Sequence, residues 1–223
     1  GVSSAFILFG AALIYAIQGT LEFSGLTSLA LNSAEQLILL TGATMIFAGI
    51  MFKLSLAPFH MWTPDVYEGA PAPVTAFIAT ISKGAIFALT LRLFASSNLI
   101  TSIPLLTALS FVAIISILGG NLLALRQDNV KRLLAYSSIA HMGYLLVVFI
   151  AAGIGGGETL AIEATCYFLF AYFLTTLGAF GVVSIVSIPD QYKDATDISN
   201  YEGLFWRRPA LAIMFTAMLL SLA

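Results

Sequence analysis

Residues 37–63 read LILLTGATMIFAGIMFKLSLAPFHMWT, an apolar run in which Lys53 is the single charged side chain. Continued as one helix at about 1.5 Å per residue, it would reach roughly 40 Å. The hydrocarbon core of a bilayer is about 30 Å thick and is crossed by about 20 residues. The run is too long for a simple span, and Pro58 marks where it divides. Proline has no N–H to donate, and its ring clashes with the carbonyl four residues back, here that of Leu54. We expect an interruption between about Leu54 and Phe59. Backbone freed at membrane depth is tolerated only when buried in protein or facing a water-filled cavity. Lys53 precedes the break and His60 follows it, and broken helices beside ionisable groups are how many transporters build ion sites. A packing kink without chemistry is the plainer alternative.

The remainder of the 223-residue chain is of the same kind, 60% hydrophobic and 9% charged, where soluble domains carry about 25% charged residues. A single buried core does not explain that deficit, because most of a folded surface still faces solvent. Seven apolar runs are long enough, or nearly so, to cross a bilayer: 2–20, 37–63, 72–95, 102–125, 131–152, 159–188 and one from 209. The last stops inside apolar sequence, and we expect the chain to be a piece of a longer one. The first has no charged region ahead of it, unlike a signal peptide. The expected fold class is all-α: a polytopic integral membrane protein with about seven transmembrane helices, the last truncated and one broken. Residues 1–223 form a single transmembrane domain in this reading.

The formal net charge of −2, without a basic patch, gives no reason to expect a nucleic-acid partner. Cys166 alone builds neither a disulfide framework nor a cysteine metal site. No phosphate-cradling loop, zinc pair or nucleophile triad is present, so we expect neither a bound cofactor nor a metal in this chain. Sidedness comes from the basic residues. Arg126, Lys131 and Arg132 lie between the fourth and fifth runs; Lys193, Arg207 and Arg208 lie in the polar stretch before the seventh. The links on the opposite side have only Arg92. The positive-inside rule places residues 126–132 and 190–208 together in the cytoplasm, with the loop ending in an interfacial Trp206.

Besides Lys53, the ionisable side chains within apolar sequence are Lys83, His141 and Glu163. A charge at the bilayer centre costs about 2.5–3.5 kcal/mol on insertion scales, so such groups face protein or a wet cavity. Lys53 could snorkel to an interface. Lys83 lies about ten residues into its run, where snorkelling is harder. His141 fits a structural histidine as well as a proton carrier, and Glu163 reads as an interfacial carboxylate. Ser137, Ser138 and Tyr144 share the helical face of His141. Gly119, Gly120 and Asn121 read as residues for close helix contact.

The segments FKLSLAPFHMWTPDVYEGAPAPVTAFIATISKGAIFALTLRLF (52–94) and GNLLALRQDNVKRLLAYSSIAHMGYLLV (120–147) closely resemble the antiporter-like membrane subunits of respiratory complex I. With YFLFAYFLTTLGAFGVVS (167–184) and YEGLFWRRPALA (201–212), the likeness is greatest to the bacterial N-type branch, the counterpart of mitochondrial subunit 2. It covers the whole chain. It implies that residues 1–223 correspond to the sixth helix through the start of the twelfth in a larger fold of about fourteen. By motif, Lys53 matches the lysine of the family's broken seventh helix, Lys83 that of the eighth, and His141 the polar tenth-helix residue on the central hydrophilic axis. The partner glutamate would lie upstream and a further lysine beyond Ala223. The implied function is proton translocation by a non-redox membrane-arm subunit of NADH:quinone oxidoreductase in a bacterial inner membrane. Lys53, Lys83 and His141 would relay protons, joined through polar side chains or water, with His60 a possible member. The implied partners are other membrane-arm and peripheral-arm subunits, which would contain the FMN, the iron–sulfur clusters and the quinone. Subunits of sodium/proton antiporters and of membrane-bound hydrogenases are the near alternatives.

Overall fold

A computed structural model describes residues 1–22, 33–95, 103–155, 158–187 and 194–222. Regular structure among them is helical apart from one isolated bridge between Asn129 and Asp197. The helices are α1 (Val2–Gln18), α2 (Ser33–Leu54), α3 (Trp62–Gly69), α4 (Ala72–Phe77), α5 (Lys83–Ala95), α6 (Ile103–Ala124), α7 (Val130–Gly155), α8 (Glu158–Ser187), α9 (Leu204–Arg207) and α10 (Pro209–Ser221). A π turn, Ile78–Ser82, joins α4 to α5, so the three make one continuous span. Five stretches among the described residues are long and apolar enough to cross a membrane, and α1 and α10 are shorter apolar helices. Most exposed side chains of α6, among them Phe111, Ile115, Leu118 and Leu122, are large and apolar, as a lipid-facing surface requires.

Two close helix pairs depend on glycine. A Cβ at Gly10 of α1 would come within 2.5 Å of the Gly42 carbonyl of α2, so nothing larger than hydrogen fits there. A Cβ at Gly120 of α6 would lie 2.8 Å from the Tyr136 carbonyl of α7. Small residues at such crossings let backbones approach where lipid supplies no hydrophobic drive. Of its neighbours, Gly119 has open space around it, and Asn121 donates to the Tyr144 hydroxyl at 3.1 Å.

The expected interruption is present, and it is longer than proline alone explains. α2 ends at Leu54 and α3 starts only at Trp62. Ser55 takes a left-handed conformation with φ 63°. The freed backbone is satisfied from elsewhere: the Ala57 amide donates to Ser116 Oγ of α6 at 2.9 Å, and Trp62 Nε1 donates to the Phe52 carbonyl at 3.0 Å. The break opens at Ser55, three residues ahead of Pro58, and the hydroxyl of a helix remote in sequence bonds the backbone within it.

The basic links meet at one end of the bundle. Val130 donates its amide to Thr196 at 2.7 Å, Ile198 donates to Asp128 at 3.0 Å, and Lys131 Nζ is 2.6 Å from Asp194. Arg132 draws in α3 as well, at 2.8 Å from Asp65 and 2.7 Å from Glu68. Trp206 is exposed on α9. Lys193 lies outside the described residues. Within the bundle the apolar interior divides in two. One part gathers around Leu54, Phe87, Met142 and Tyr172, the other around Tyr67, Ala79, Ala135 and Ala179.

Candidate functional site

Lys83 occupies the seam between those two interiors. Ala72, Ala76, Ala79, Lys83, Phe87 and Thr90 are all buried at three- and four-residue intervals, one stripe of the helical span facing inward. Lys83 follows the π turn directly, near the middle of the Ala72–Leu93 span. Such turns often mark functional positions in helices. On the facing helices Ser138 lies between buried Ala135 and Met142 of α7, and Tyr172 is at the middle of α8.

Lys83 is 1% exposed, and its Nζ donates to Ser138 Oγ at 2.7 Å. Ser138 Oγ is 2.5 Å from Tyr172 Oη, which donates to the Ala79 carbonyl at 3.1 Å. The ring of Tyr67 presents its face to Nζ, 5.8 Å from the centroid. No ion pair reaches Lys83 among the described residues. An ammonium this deep is thus held by one hydroxyl and an aromatic face, which stabilise charge less than a carboxylate does.

His141 stands one helical turn along α7 from Ser138. Its ring centroid is 5.4 Å from that of Tyr172, 5.7 Å from Phe168 and 5.8 Å from Tyr144. Nε2 lies 3.0 Å from the Leu222 carbonyl. A carbonyl only accepts, so in this bond Nε2 carries the hydrogen and the neutral ring has a bare Nδ1. That Nδ1 is buried and without a partner among the described residues.

The structure therefore brings Lys83 and His141 into one cluster with Ser138 and Tyr172. It does not bring in Lys53, which is half-buried in the last turn of α2 and has no hydrogen bond or ion pair among the described residues. His60 lies within the break, half-buried, its Nδ1 without a partner among the described residues. Glu163 is exposed on α8. Sequence reasoning missed Tyr172, Tyr67 and the π turn. The tyrosine carried a legible signal: tyrosines of spanning helices favour the interfaces, and this one is at mid-run.

About two turns of α7 toward the basic end, roughly 10 Å away, a polar cavity of about 320 Å³ is lined by Glu68, Gly69, Ala70, Pro71, Lys131, Asp194 and Thr196. Lys131, 1% exposed, donates to both the Asp194 carboxylate and the Ala70 carbonyl, each at 2.6 Å. In the adjoining loop, the amide and hydroxyl of Ser199 hold the Asp197 carboxyl below its usual range. Burial, with Asp194 nearby, pushes the Tyr201 hydroxyl well above its own. Among the described residues no group of His, Cys, Asp and Glu could hold a metal ion.

A broken helix beside a lysine, followed by a second lysine buried at mid-span, is the geometry the antiporter-like resemblance implies. The family model described as NADH:quinone oxidoreductase/Mrp antiporter, TM, matches residues 1–223. The chain belongs to this family. Among its members, this chain is 54% identical over 220 residues to NADH-quinone oxidoreductase subunit N of Ectopseudomonas mendocina (strain ymp), covering 99% of this chain and 43% of that one. It is 50% identical over 223 residues to the same-named subunit of Methylococcus capsulatus (strain ATCC 33009 / NCIMB 11132 / Bath), covering 100% of this chain and 45% of that one. The chain thus spans less than half the length of these relatives. A chain of respiratory complex I from Thermus thermophilus with bound aureothin superposes with a TM-score of 0.75 at 36% identity, over 99% of this chain and 45% of that one. A chain of an archaeal membrane-bound sulfane sulfur reductase superposes at 0.78 and 30% identity, over 98% and 43%. A chain of the Mrp complex from Dietzia sp. DQ12-45-1b, 20% identical, shares the fold with a TM-score of 0.80 over 99% and 39%.

Proposed function

We propose that this chain is the proton-conducting part of a membrane-arm subunit of a proton-translocating NADH:quinone oxidoreductase. Lys53, Lys83 and His141 form its relay, and His60 is a possible further member. Residues 1–223 act as one transmembrane domain in a bacterial inner membrane. The FMN, iron–sulfur clusters and quinone belong to partner subunits of the membrane and peripheral arms, and this chain performs no redox step.

The observation that carries the reading is Lys83: a cation 1% exposed at mid-span, held by a hydroxyl at 2.7 Å. A lysine takes up or releases its proton as the charge beside it changes, so a moving partner charge toggles it. Identity of 54% and 50% to subunit N chains supports NADH:quinone oxidoreductase over a cation antiporter, where the likeness at 20% identity extends to the fold alone.

The test is Lys83→Ala and Lys53→Ala in the full-length protein, with NADH-driven proton pumping measured in inverted vesicles and assembly followed by native electrophoresis. Each variant should assemble and lose most pumping, and Lys→Arg should fail too, because arginine does not release its proton. Wild-type pumping in Lys83→Ala would remove the reading of Lys83, and wild-type pumping in both alanine variants would remove the relay.

A further inference from the structure

An ammonium only donates, a carbonyl only accepts, and a hydroxyl has a single hydrogen to give. These rules fix the direction of the chain that runs from Lys83 Nζ to Ser138 Oγ (2.7 Å), to Tyr172 Oη (2.5 Å), to the Ala79 carbonyl (3.1 Å). With Lys83 charged, each group must donate to the next: lysine to serine, serine to tyrosine, tyrosine to carbonyl. With Lys83 neutral, its lone pair accepts, and the chain can run backwards. Tyr172 then donates to Ser138 and Ser138 to Lys83, while Ala79 loses the tyrosine's hydrogen. Ala79 belongs to the π turn that ends at Lys83.

We propose that Ser138 and Tyr172 are positioning residues for Lys83, a hydroxyl pair that reverses direction when the lysine changes charge and reports the change to the π turn through Ala79. The proposal rests on the reading of Lys83 as a proton site and deepens it.

The groups around Lys83 come from several elements. α3 presents the Tyr67 ring to it, with the buried Tyr67 hydroxyl near Ser138, and α8 presents Tyr172. α7 brings His141, whose ring lies 5.4 Å from that of Tyr172. α4 and the π turn have no titratable residue, and α2 brings Lys53, which makes no hydrogen bond to Lys83. Ser138 and Tyr172 are both buried, so bulk water does not compete for their hydrogens.

The experiment measures the pH dependence of NADH-driven proton pumping in vesicles that contain the full-length protein in its complex. The variants are Tyr172→Phe, Ser138→Ala and the two combined; phenylalanine keeps the ring that packs on His141 and Phe173. Each single change removes the chain that favours the charged lysine, so the profile should move to lower pH by about one unit. The double variant should move no further than the larger single, because the chain needs both hydroxyls. Thr165→Val deletes another buried hydroxyl of α8 and should leave the profile in place. A wild-type profile in both single variants, while Lys83→Ala abolishes pumping, would overturn the inference and leave the reading of Lys83 intact. An equal shift in Thr165→Val would overturn it as well. If Lys83→Ala pumps normally, reading and inference fall together. Should Tyr172→Phe not assemble, Ser138→Ala decides the matter by the same criterion.

Discussion

Asp194→Ala removes the carboxylate 2.6 Å from Lys131 Nζ and leaves that buried ammonium with the Ala70 carbonyl, also at 2.6 Å, as its remaining partner. Deleting one partner of a fully buried pair costs about 3–5 kcal/mol. An exposed pair contributes about 0–1 kcal/mol. The Lys131 side chain is 2% exposed and that of Asp194 20%, so this pair lies nearer the buried limit. We expect a loss of about 2–4 kcal/mol, the fully buried cost reduced for the partial exposure of the acid and the surviving carbonyl bond. Asp65→Ala is the internal comparison. Its carboxylate pairs with Arg132 but is 73% exposed, and Glu68 remains on the same guanidinium at 2.7 Å. That loss should stay within about 0.5 kcal/mol. Thermal unfolding of the full-length protein in detergent, followed by tryptophan fluorescence, separates the two. Combining Lys131→Met with Asp194→Leu should restore most of the stability, because an apolar pair strands no charge. Equal, small losses in Asp194→Ala and Asp65→Ala would refute the argument that burial makes Lys131 depend on its acid.

Ser116→Ala strands the Ala57 amide, which donates to that hydroxyl at 2.9 Å across the helix break. A buried donor left unmade costs about 1–3 kcal/mol, read in the same unfolding measurement, and an unchanged midpoint would show that the break does not rely on α6. Single cysteines replacing Asp128 and Ala195, in a chain whose Cys166 is changed to serine, should react with an impermeant maleimide from the same side in intact and inverted vesicles. Labelling from opposite sides would end the topology.

The spans, the break and the meeting of the basic links at one end were legible because each follows from rules acting along the chain. A run of about 20 apolar residues partitions into lipid whatever its neighbours are. Pro58 interrupts a helix through its own missing N–H and its clash with Leu54, and basic links choose a side by their charge alone. For the same reason Lys53, Lys83 and His141 stood out as charges or titratable groups in the wrong solvent. What each of them touches was decided by how the helices rotate and pack, which no local rule states. Ser138 reaches Lys83 across 55 residues of sequence, and Tyr172 reaches Ser138 across 34. Ser116 bonds the backbone of the break from 59 residues beyond Ala57. In the sequence Lys131 is a marker of sidedness, and only folding buries it against Asp194, 63 residues away. A helix face is written in the sequence as a period, but its partner is set by the packing of whole helices, where glycine contacts such as Gly10–Gly42 and Gly120–Tyr136 fix which faces meet. That packing left Lys53 without a polar partner among the described residues and gave Lys83 the Ser138 hydroxyl and the Tyr67 ring.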